Sequence, residues 1–290
     1  EYLKHEYDGE AFMEIKFKDV SFTYNTNTSI ENKVLNNINI TFETGKVYGL
    51  IGKSGSGKTS LIQLINGLLL PTTGKIMLGK HKIDAKTRTA TLKQIRKNVG
   101  IVFQNSEEQF FCHTVKEEIE FGIMNFAIKI DDIDKKIIDA LKIVGLDSSY
   151  LERDPLSLSH GEMRKIALAS ILVYNPKIII LDEPTIGLDD LGKRNLIKII
   201  RKLKLRYDKT FIIVSHDTNF LLQIVDYVYL LENGEIKLSG DKYTVLSDEK
   251  ELKKNNILVP DILAFSNLVQ KKKNIKLGFR DDINDLIKDI

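Results

Sequence analysis

The first chemistry legible in the chain is GKSGSGKT, Gly52 to Thr59. Its spacing fits G-x-x-x-x-G-K-[ST]. It lies between the compact apolar run KVYGLIG and the helical pattern SLIQLINGLLL, the strand–loop–helix context in which the motif has meaning. Glycines at 52, 55 and 57 let the backbone curl until several N–H groups face one point, and the start of the helix adds its partial positive charge there. Such a nest takes phosphate oxygens. Gly52, Ser54, Gly55, Ser56, Gly57, Lys58, Thr59 and Ser60 are the expected contacts to a nucleotide. Within them Lys58 is expected to reach the β- and γ-phosphates, and the Thr59 hydroxyl to ligate Mg²⁺.

Phosphoryl chemistry also needs a carboxylate at the tip of a neighbouring strand. IIILDE, Ile178 to Glu183, supplies two. Asp182 at the tip is expected to hold Mg²⁺ through water. Glu183 is the expected general base, which must stand near the water that attacks the γ-phosphate. IIVSHD sets His216 just past another apolar strand, where it would contact the γ-phosphate and orient that water. Gln104, closing GIVFQ, offers an amide to Mg²⁺ or water. A histidine after a strand is most often structural, and two strand-end acids are often only solvated. What raises these readings is the upstream loop, because one sheet edge should carry all of them.

A further stretch, LSLSHGEMRK (Leu156 to Lys165), places Ser159 three residues before Glu162, the signature of a helix start. Two readings stay open. Glu162 reaches back to cap its own helix, or the new helix aims its N-terminus at a ligand with Glu162 beside it.

The elements that must position these groups follow from the pattern. Met13 to Tyr24 alternates as a half-buried strand, and Val34 to Gly45 repeats the alternation as one run. The helix after the loop is expected to stop at Pro71 and Gly74. Residues 74–83 read as an edge hairpin. From about 92 to 175 the pattern is mostly helical, with a strand at VGIVFQ. KIIILDEP and TFIIVSHD are unbroken apolar runs, as in parallel strands covered on both faces, and the helix LGKRNLIKIIRKLKLRY separates them. YVYLLENGEIKLSG is a hairpin around Asn233-Gly234. From about Asp241, Lys-rich helical stretches flank Pro260, and Lys271 to Lys273 reads as a solvated face. The order of elements predicts an α/β fold with an antiparallel flank and helical insertions.

Composition narrows the classes. The 290 residues carry 43 basic and 40 acidic side chains, a net charge of +3, so no nucleic-acid footprint is expected. The single Cys112 excludes an internal disulfide and suits a reducing compartment. No run of about 18 apolar residues marks a spanning helix, so any membrane role is expected to go through a partner. The chain begins at Glu1, and a trimmed natural start is expected.

Taken in order, Tyr24, Gly52–Thr59, Gln104, Leu158–Glu162, Ile178–Asp182, Glu183, Gly187-Leu188-Asp189 and His216 resemble the nucleotide-binding subunit of an ABC transporter, over about residues 13–240. The resemblance implies a P-loop NTPase of ABC type: a mostly parallel core sheet, an antiparallel flank, a helical subdomain at about 105–175, and a small helical extension at 241–290. It implies ATP as ligand, with Tyr24 stacked on adenine, a contact worth about 1–3 kcal/mol in base stacking elsewhere. It implies that Ser159 and Gly161 of the signature, with Asp189 of the D-loop, serve ATP held by another subunit.

A narrower resemblance, carried by NGLLLPTTGKI, by Leu92 to Phe126 and by LDEPTIGLDDLGKR, is to the ATPases of energy-coupling factor (ECF) importers for vitamins and metal ions. EEQFF…TV and FGIMNF are more similar to the second of their two paralogous ATPases. That implies a paralogous ATPase partner, a transmembrane coupling subunit whose helix enters a groove lined by Phe110 and Phe111, a substrate-binding membrane subunit, and a peripheral place at the cytoplasmic face of the membrane. The signature departs from L-S-G-G-Q: His160 replaces a glycine, and Glu162 sets an anion beside an anionic ligand, an unfavourable sign if it points there. Rival readings fare less well. A repair protein needs a long heptad insertion between Lys58 and Asp182, a translation factor usually carries two cassettes, and a non-catalytic subunit would not keep Asp182, Glu183 and His216. Another ABC importer is the runner-up.

Overall fold

The computed structural model describes residues 13–26, 28–273 and 278. In chain order the strands are β1 (Ile15–Tyr24), β2 (Asn32–Ile38), β3 (Thr41–Phe42), β4 (Val47–Ile51), β5 (Thr73–Leu78), β6 (His81–Ile83), β7 (Val99–Val102), β8 (Ile178–Asp182), β9 (Thr210–Val214), β10 (Tyr227–Glu232) and β11 (Glu235–Asp241). The helices are α1 (Lys58–Ile65), α2 (Thr89–Asn98), α3 (Val115–Asn125), α4 (Ile133–Ile143), α5 (His160–Leu172), α6 (Asp190–Tyr207), α7 (Thr218–Ile224), α8 (Lys242–Leu246), α9 (Glu249–Lys254) and α10 (Asp261–Lys273).

The core sheet runs β11-β10-β4-β9-β8-β7, parallel throughout except for β11 at its edge. The period of two along each strand divides its side chains between two cores. Tyr48 and Leu50 of β4, with Ile178 and Ile180 of β8, face the antiparallel sheet β2-β1-β5-β6 and pack with Phe17, Phe42 and Leu61. Val47, Ile51, Ile179 and Leu181 face the other way, onto Ile119, Leu141, Ile166 and Leu172 of α3, α4 and α5 and onto α6 and α7. Both faces of β8 and β9 are therefore buried, which is why neither strand alternates.

Two boundaries differ from the pattern. The run Val34–Gly45 divides into β2 and β3. β2 pairs with the far part of β1 (Val20 to Tyr24), whereas β3 pairs with its start (Ile15 and Lys16), and Asn37 near the end of β2 takes φ +50°. Helix α1 stops at Ile65, well before Pro71. Gly67 adopts φ +69°, and the N–H groups of Leu68 and Leu69 turn back to the Gln63 carbonyl, a glycine-dependent helix stop.

The segment past Asp241 joins the larger core rather than standing beside it: Val245, Leu246, Leu252, Ile257 and Leu263 are buried in it. Of the lysine run, Lys271 and Lys272 are exposed on α10, as a solvated face requires, and Lys271 also pairs with Glu249 at 2.6 Å across two helices. The Lys273 side chain and residues 274–277 and 279–290 of the expected extension lie outside the described residues. Among the described residues no helix is long and apolar enough to cross a membrane.

Candidate nucleotide site

Strand β4 delivers the phosphate loop at the C-terminal edge of the parallel sheet. Gly52, Gly55 and Gly57 have φ of +154°, +77° and +104°. A Cβ at Gly57 would lie 2.8 Å from Leu35 Cδ2, and one at Gly52 would strike the Leu231 carbonyl, so both positions need glycine for space as well as conformation. The Lys58 ammonium is buried within the loop and donates to the carbonyls of Gly52 (2.7 Å) and Lys53 (2.8 Å). Burial pulls its pKa down, and the nearby Glu183 and Asp182 oppose that shift. The Ser56 hydroxyl is buried with no partner among the described residues. Thr59 is exposed on the first turn of α1.

The loop has a brace that the sequence pattern did not reveal. In the turn between β10 and β11, Asn233 and Gly234 both have positive φ, as a two-residue hairpin requires. Gly234 N–H donates to the Ser56 carbonyl (3.1 Å), and its own carbonyl accepts from Asn36 N–H (2.8 Å). A Cβ there would collide with the Val34 carbonyl. The Asn-Gly pair announces a turn, but only the sheet order brings that turn onto the loop.

Asp182 ends β8 and pairs in register with Val214 of β9, whose other neighbour is Leu50 of β4. Adjacent strand tips thus gather Lys58, Asp182, Glu183 and His216 on one edge. Glu183 takes the left-handed conformation, φ +47°, held by its N–H on the Val214 carbonyl (2.8 Å). Such strain in a residue with a side chain persists only where surrounding structure enforces it. Its Oε2 accepts from the His216 N–H at 3.3 Å, and its Oε1, without a hydrogen bond, lies 3.4 Å from His216 Nε2. Burial pushes both carboxyls up; Asp182, further raised by the Glu183 charge and opposed by Lys58, reaches about 6. Burial and then Lys58 lower the His216 pKa, so the imidazole is neutral near pH 7.

Other expected residues stand around this edge. The Tyr24 hydroxyl is 3.2 Å from the Ser60 hydroxyl on α1, and its ring meets Phe22 edge-to-face at 4.6 Å, so an aromatic face flanks the loop while Ser60 is engaged by Tyr24. Ser54 and Gln104 are exposed. The Gln104 carbonyl accepts from Arg164 (3.4 Å), and its amide makes no hydrogen bond to Thr59 or Asp182. Arg164 is a residue that motif reasoning missed: from α5 it also donates to the carbonyls of Pro184 (2.9 Å) and Ile186, tying the signature helix to the chain just past Glu183. Asp189 caps α6 through Gly192 N–H (2.7 Å). Lys193 one turn on reaches Asp217 (2.6 Å), the neighbour of His216.

Among the described residues, the side-chain hydrogen bonds of Ser159 and Glu162 run within the start of α5 and to Tyr150. Ser159 caps α5, with Glu162 as the reciprocal partner of a capping box. Glu162 Oε2 accepts from Ser159 N–H (3.0 Å) and O–H (2.6 Å), which resolves the open question in favour of the turned-back carboxylate. His160 is exposed, and a Cβ on the next residue, Gly161, would meet only Leu188 at 3.7 Å.

The donors suit Mg²⁺. A hydroxyl at Thr59 and a carboxylate at Asp182 are hard oxygen ligands, and among the described residues no three His, Cys, Asp or Glu side chains cluster to cage a metal. Mg²⁺ characteristically takes one or two protein oxygens and completes its shell with phosphates and water. The unpartnered Ser56 hydroxyl is a further oxygen in the same loop.

A phosphate loop on the central parallel strand, an acid pair on the next-but-one strand and a separate helix opened by a capping box define an ATP-binding cassette, and the chain belongs to the ABC transporter family, whose model matches residues 35–186. Within it the chain is similar to the energy-coupling factor transporter ATP-binding protein EcfA2 of Staphylococcus saprophyticus, 39% identical over 260 residues covering 90% of this chain and 91% of that protein. The EcfA2 protein of Enterococcus faecalis is 37% identical, with 90% of each chain covered. Among solved structures, cbiO1 of Clostridium perfringens, part of the ABC transporter complex cbiONQ, has a TM-score of 0.72 at 29% identity, covering 87% of this chain and 98% of that one. A dimeric ATP-binding cassette in a post-hydrolysis state with ADP and Pi has a TM-score of 0.72 at 27% identity, covering 79% and 98%.

Proposed function

We propose that this chain is an ATP-hydrolysing subunit of an ECF-type ABC importer. It pairs with a second, paralogous ATPase at the cytoplasmic face of the membrane and drives uptake of a vitamin or metal ion through a membrane partner. One observation carries the reading: Lys58, Asp182, Glu183 and His216 share one sheet edge, while Ser159 and Glu162 hydrogen-bond each other at the start of a different element, α5. One chain then holds one ATP-binding half and offers its signature turn to another subunit.

In this mechanism the loop amides and Lys58 bind the phosphates, Lys58 exchanging its carbonyl partners for β- and γ-oxygens. Thr59 and Asp182, with the Gln104 amide, would hold Mg²⁺, which when bound would supply positive charge at the same oxygens. Glu183 accepts the proton of the attacking water, a role its raised pKa favours. Neutral His216, held against Glu183, donates or accepts a hydrogen bond at the γ-phosphate side. Tyr24 flanks the base. Ser159, Gly161 and Asp189 complete the partner's site, so closure of the pair depends on ATP and hydrolysis releases it.

The membrane contact narrows to Phe111 and Phe121, 62% and 45% exposed and packed edge-to-face at 4.6 Å, with Met124 beside them on α3. Phe110 instead packs against the core. In the assembled complex, Glu183→Gln is expected to lower ATP turnover by about 10²–10⁴-fold with ATP binding retained. Turnover within about twofold of the parent would exclude Glu183 as the base. Detergent pulldown from native membranes that recovers only soluble partners would exclude the transporter.

A further inference from the structure

We propose that Tyr150 is a positioning residue for the signature turn: its phenol holds the Glu162 carboxylate back against Ser159, away from the phosphate that Ser159 meets on the paired subunit. This inference rests on the paired-ATPase reading above.

The geometry is a closed set of donors around one anion. The capping box uses only one carboxylate oxygen, Oε2, which takes both Ser159 donors. The other, Oε1, is held by the Tyr150 O–H at 2.7 Å. With three donors the carboxyl falls to about 2, the Ser159 hydroxyl contributing most and Tyr150 next, so Glu162 is an anion at any physiological pH. Negative charge at a helix start stabilises the helix, but the same charge repels a phosphate approaching that helix start. Fixing both oxygens keeps the first effect and limits the second. Without Tyr150, Oε1 is free to swing toward the approaching phosphate.

Tyr150 is itself held from elsewhere. It closes the 3₁₀ turn Ser148–Tyr150, which Asp147 caps through Ser149 N–H (2.8 Å). The Arg153 guanidinium lies 4.3 Å from its ring centroid, a cation–π contact, and Arg153 N–H donates to the Tyr150 carbonyl (3.0 Å). The carbonyls of Arg153 and Leu151 accept from the first N–H groups of α3, Val115 (3.0 Å) and Lys116 (2.9 Å). The segment that carries Tyr150 is therefore tied, through Leu151 and Arg153, to the start of α3. A glutamine at 162 would carry no charge to restrain, so the role is tied to the departure from L-S-G-G-Q.

The test uses the complete transporter with its paralogous partner and reads ATP affinity by photolabelling, which needs no turnover. With Lys58→Ala in this chain, labelling reports the partner's loop, which Ser159 completes. There Tyr150→Phe is expected to weaken affinity by about 3–10-fold, within the net scale of one ordinary hydrogen bond. In the mirror complex, with the partner's loop lysine replaced, Tyr150→Phe is expected to shift affinity at this chain's own loop by less than about twofold. Glu162→Gln is expected to abolish the Tyr150→Phe effect. Equal loss at both sites, no loss at the partner's site, or a loss unaltered by Glu162→Gln would each overturn the inference. Ser159→Arg is the control for the underlying reading: if it leaves the partner's site unchanged, the paired-site reading fails whatever Tyr150→Phe does.

Discussion

The sheet edge at β8 and β9 and the start of α5, the two regions proposed to meet a nucleotide, are finished in opposite ways. At the edge, the Ser56 hydroxyl and Glu183 Oε1 are buried without hydrogen bonds, Glu183 is held in a left-handed backbone, and Asp182 is raised to about 6. At the start of α5, every oxygen of Ser159 and Glu162 side chains has a partner, and Glu162 is lowered to about 2. The difference teaches which region depends on a ligand. The edge stores unfavourable burial that phosphate and Mg²⁺ would offset, whereas the helix start is self-sufficient and presents a pre-formed surface.

Substitutions can break that comparison. The largest effect is expected from Lys58→Ala, which removes the one cation buried in the loop. Turnover at this chain's own site should fall by about 10²–10³-fold, the cost of losing one preorganised donor to developing charge, as measured by phosphate release in the assembled complex. Next is Asp182→Asn, which should stabilise the isolated chain. An acid raised from 3.8 to about 6 binds its proton more tightly folded than unfolded, so its folded-state stability falls as pH rises between those values. The variant should therefore gain up to roughly 3 kcal/mol at pH 7 and little at pH 4. Thermal unfolding at the two pH values checks this, and a gain that does not depend on pH would show that Asp182 is not strained by burial.

Gly234→Ala comes third. It places a side chain at φ +78° against the Val34 carbonyl and should cost about 1–3 kcal/mol in urea unfolding, with a raised KM for ATP because the turn braces Ser56. An unchanged KM beside lost stability would separate the brace from the loop. The smallest effect is expected from Glu162→Ala, about 1 kcal/mol, the usual scale of a lost cap. Glu162 has its pKa depressed, so its contribution is present above about 4.5 and is lost as pH falls toward 2. The deficit of the variant, read by thermal unfolding, should shrink over that window. A deficit that persists at pH 2 would mean that the carboxylate charge is not what caps α5.

Much of the site was legible because its chemistry is local. The glycine spacing of 52, 55 and 57 dictates a curled backbone wherever it occurs, and an apolar run ending in Asp182-Glu183 places acids at a strand tip. The Ser159–Glu162 spacing was legible as a capping box for the same reason, but not the orientation of the carboxylate, which Tyr150 shares in deciding from twelve residues away. The end of α1 was misjudged because Pro71 is a strong stop signal, yet the Asn66-Gly67 turn acts first. Arg164 and Lys193 carried no pattern at all: each is an ordinary helix cation until packing sets a carbonyl or carboxylate against it.

By itself, then, the sequence determined the identity and order of the candidate site residues and the conformations that glycine and strand alternation impose, because these depend on neighbours along the chain. The tertiary structure decided what lies beside what. Strand order set Glu183 against His216 and the Asn233-Gly234 turn against the phosphate loop, and it raised the pKa of Asp182 by burying it between strands. Burial, strain and charge proximity are properties of residues distant in sequence, and only the folded chain brings those residues within a few ångströms of one another.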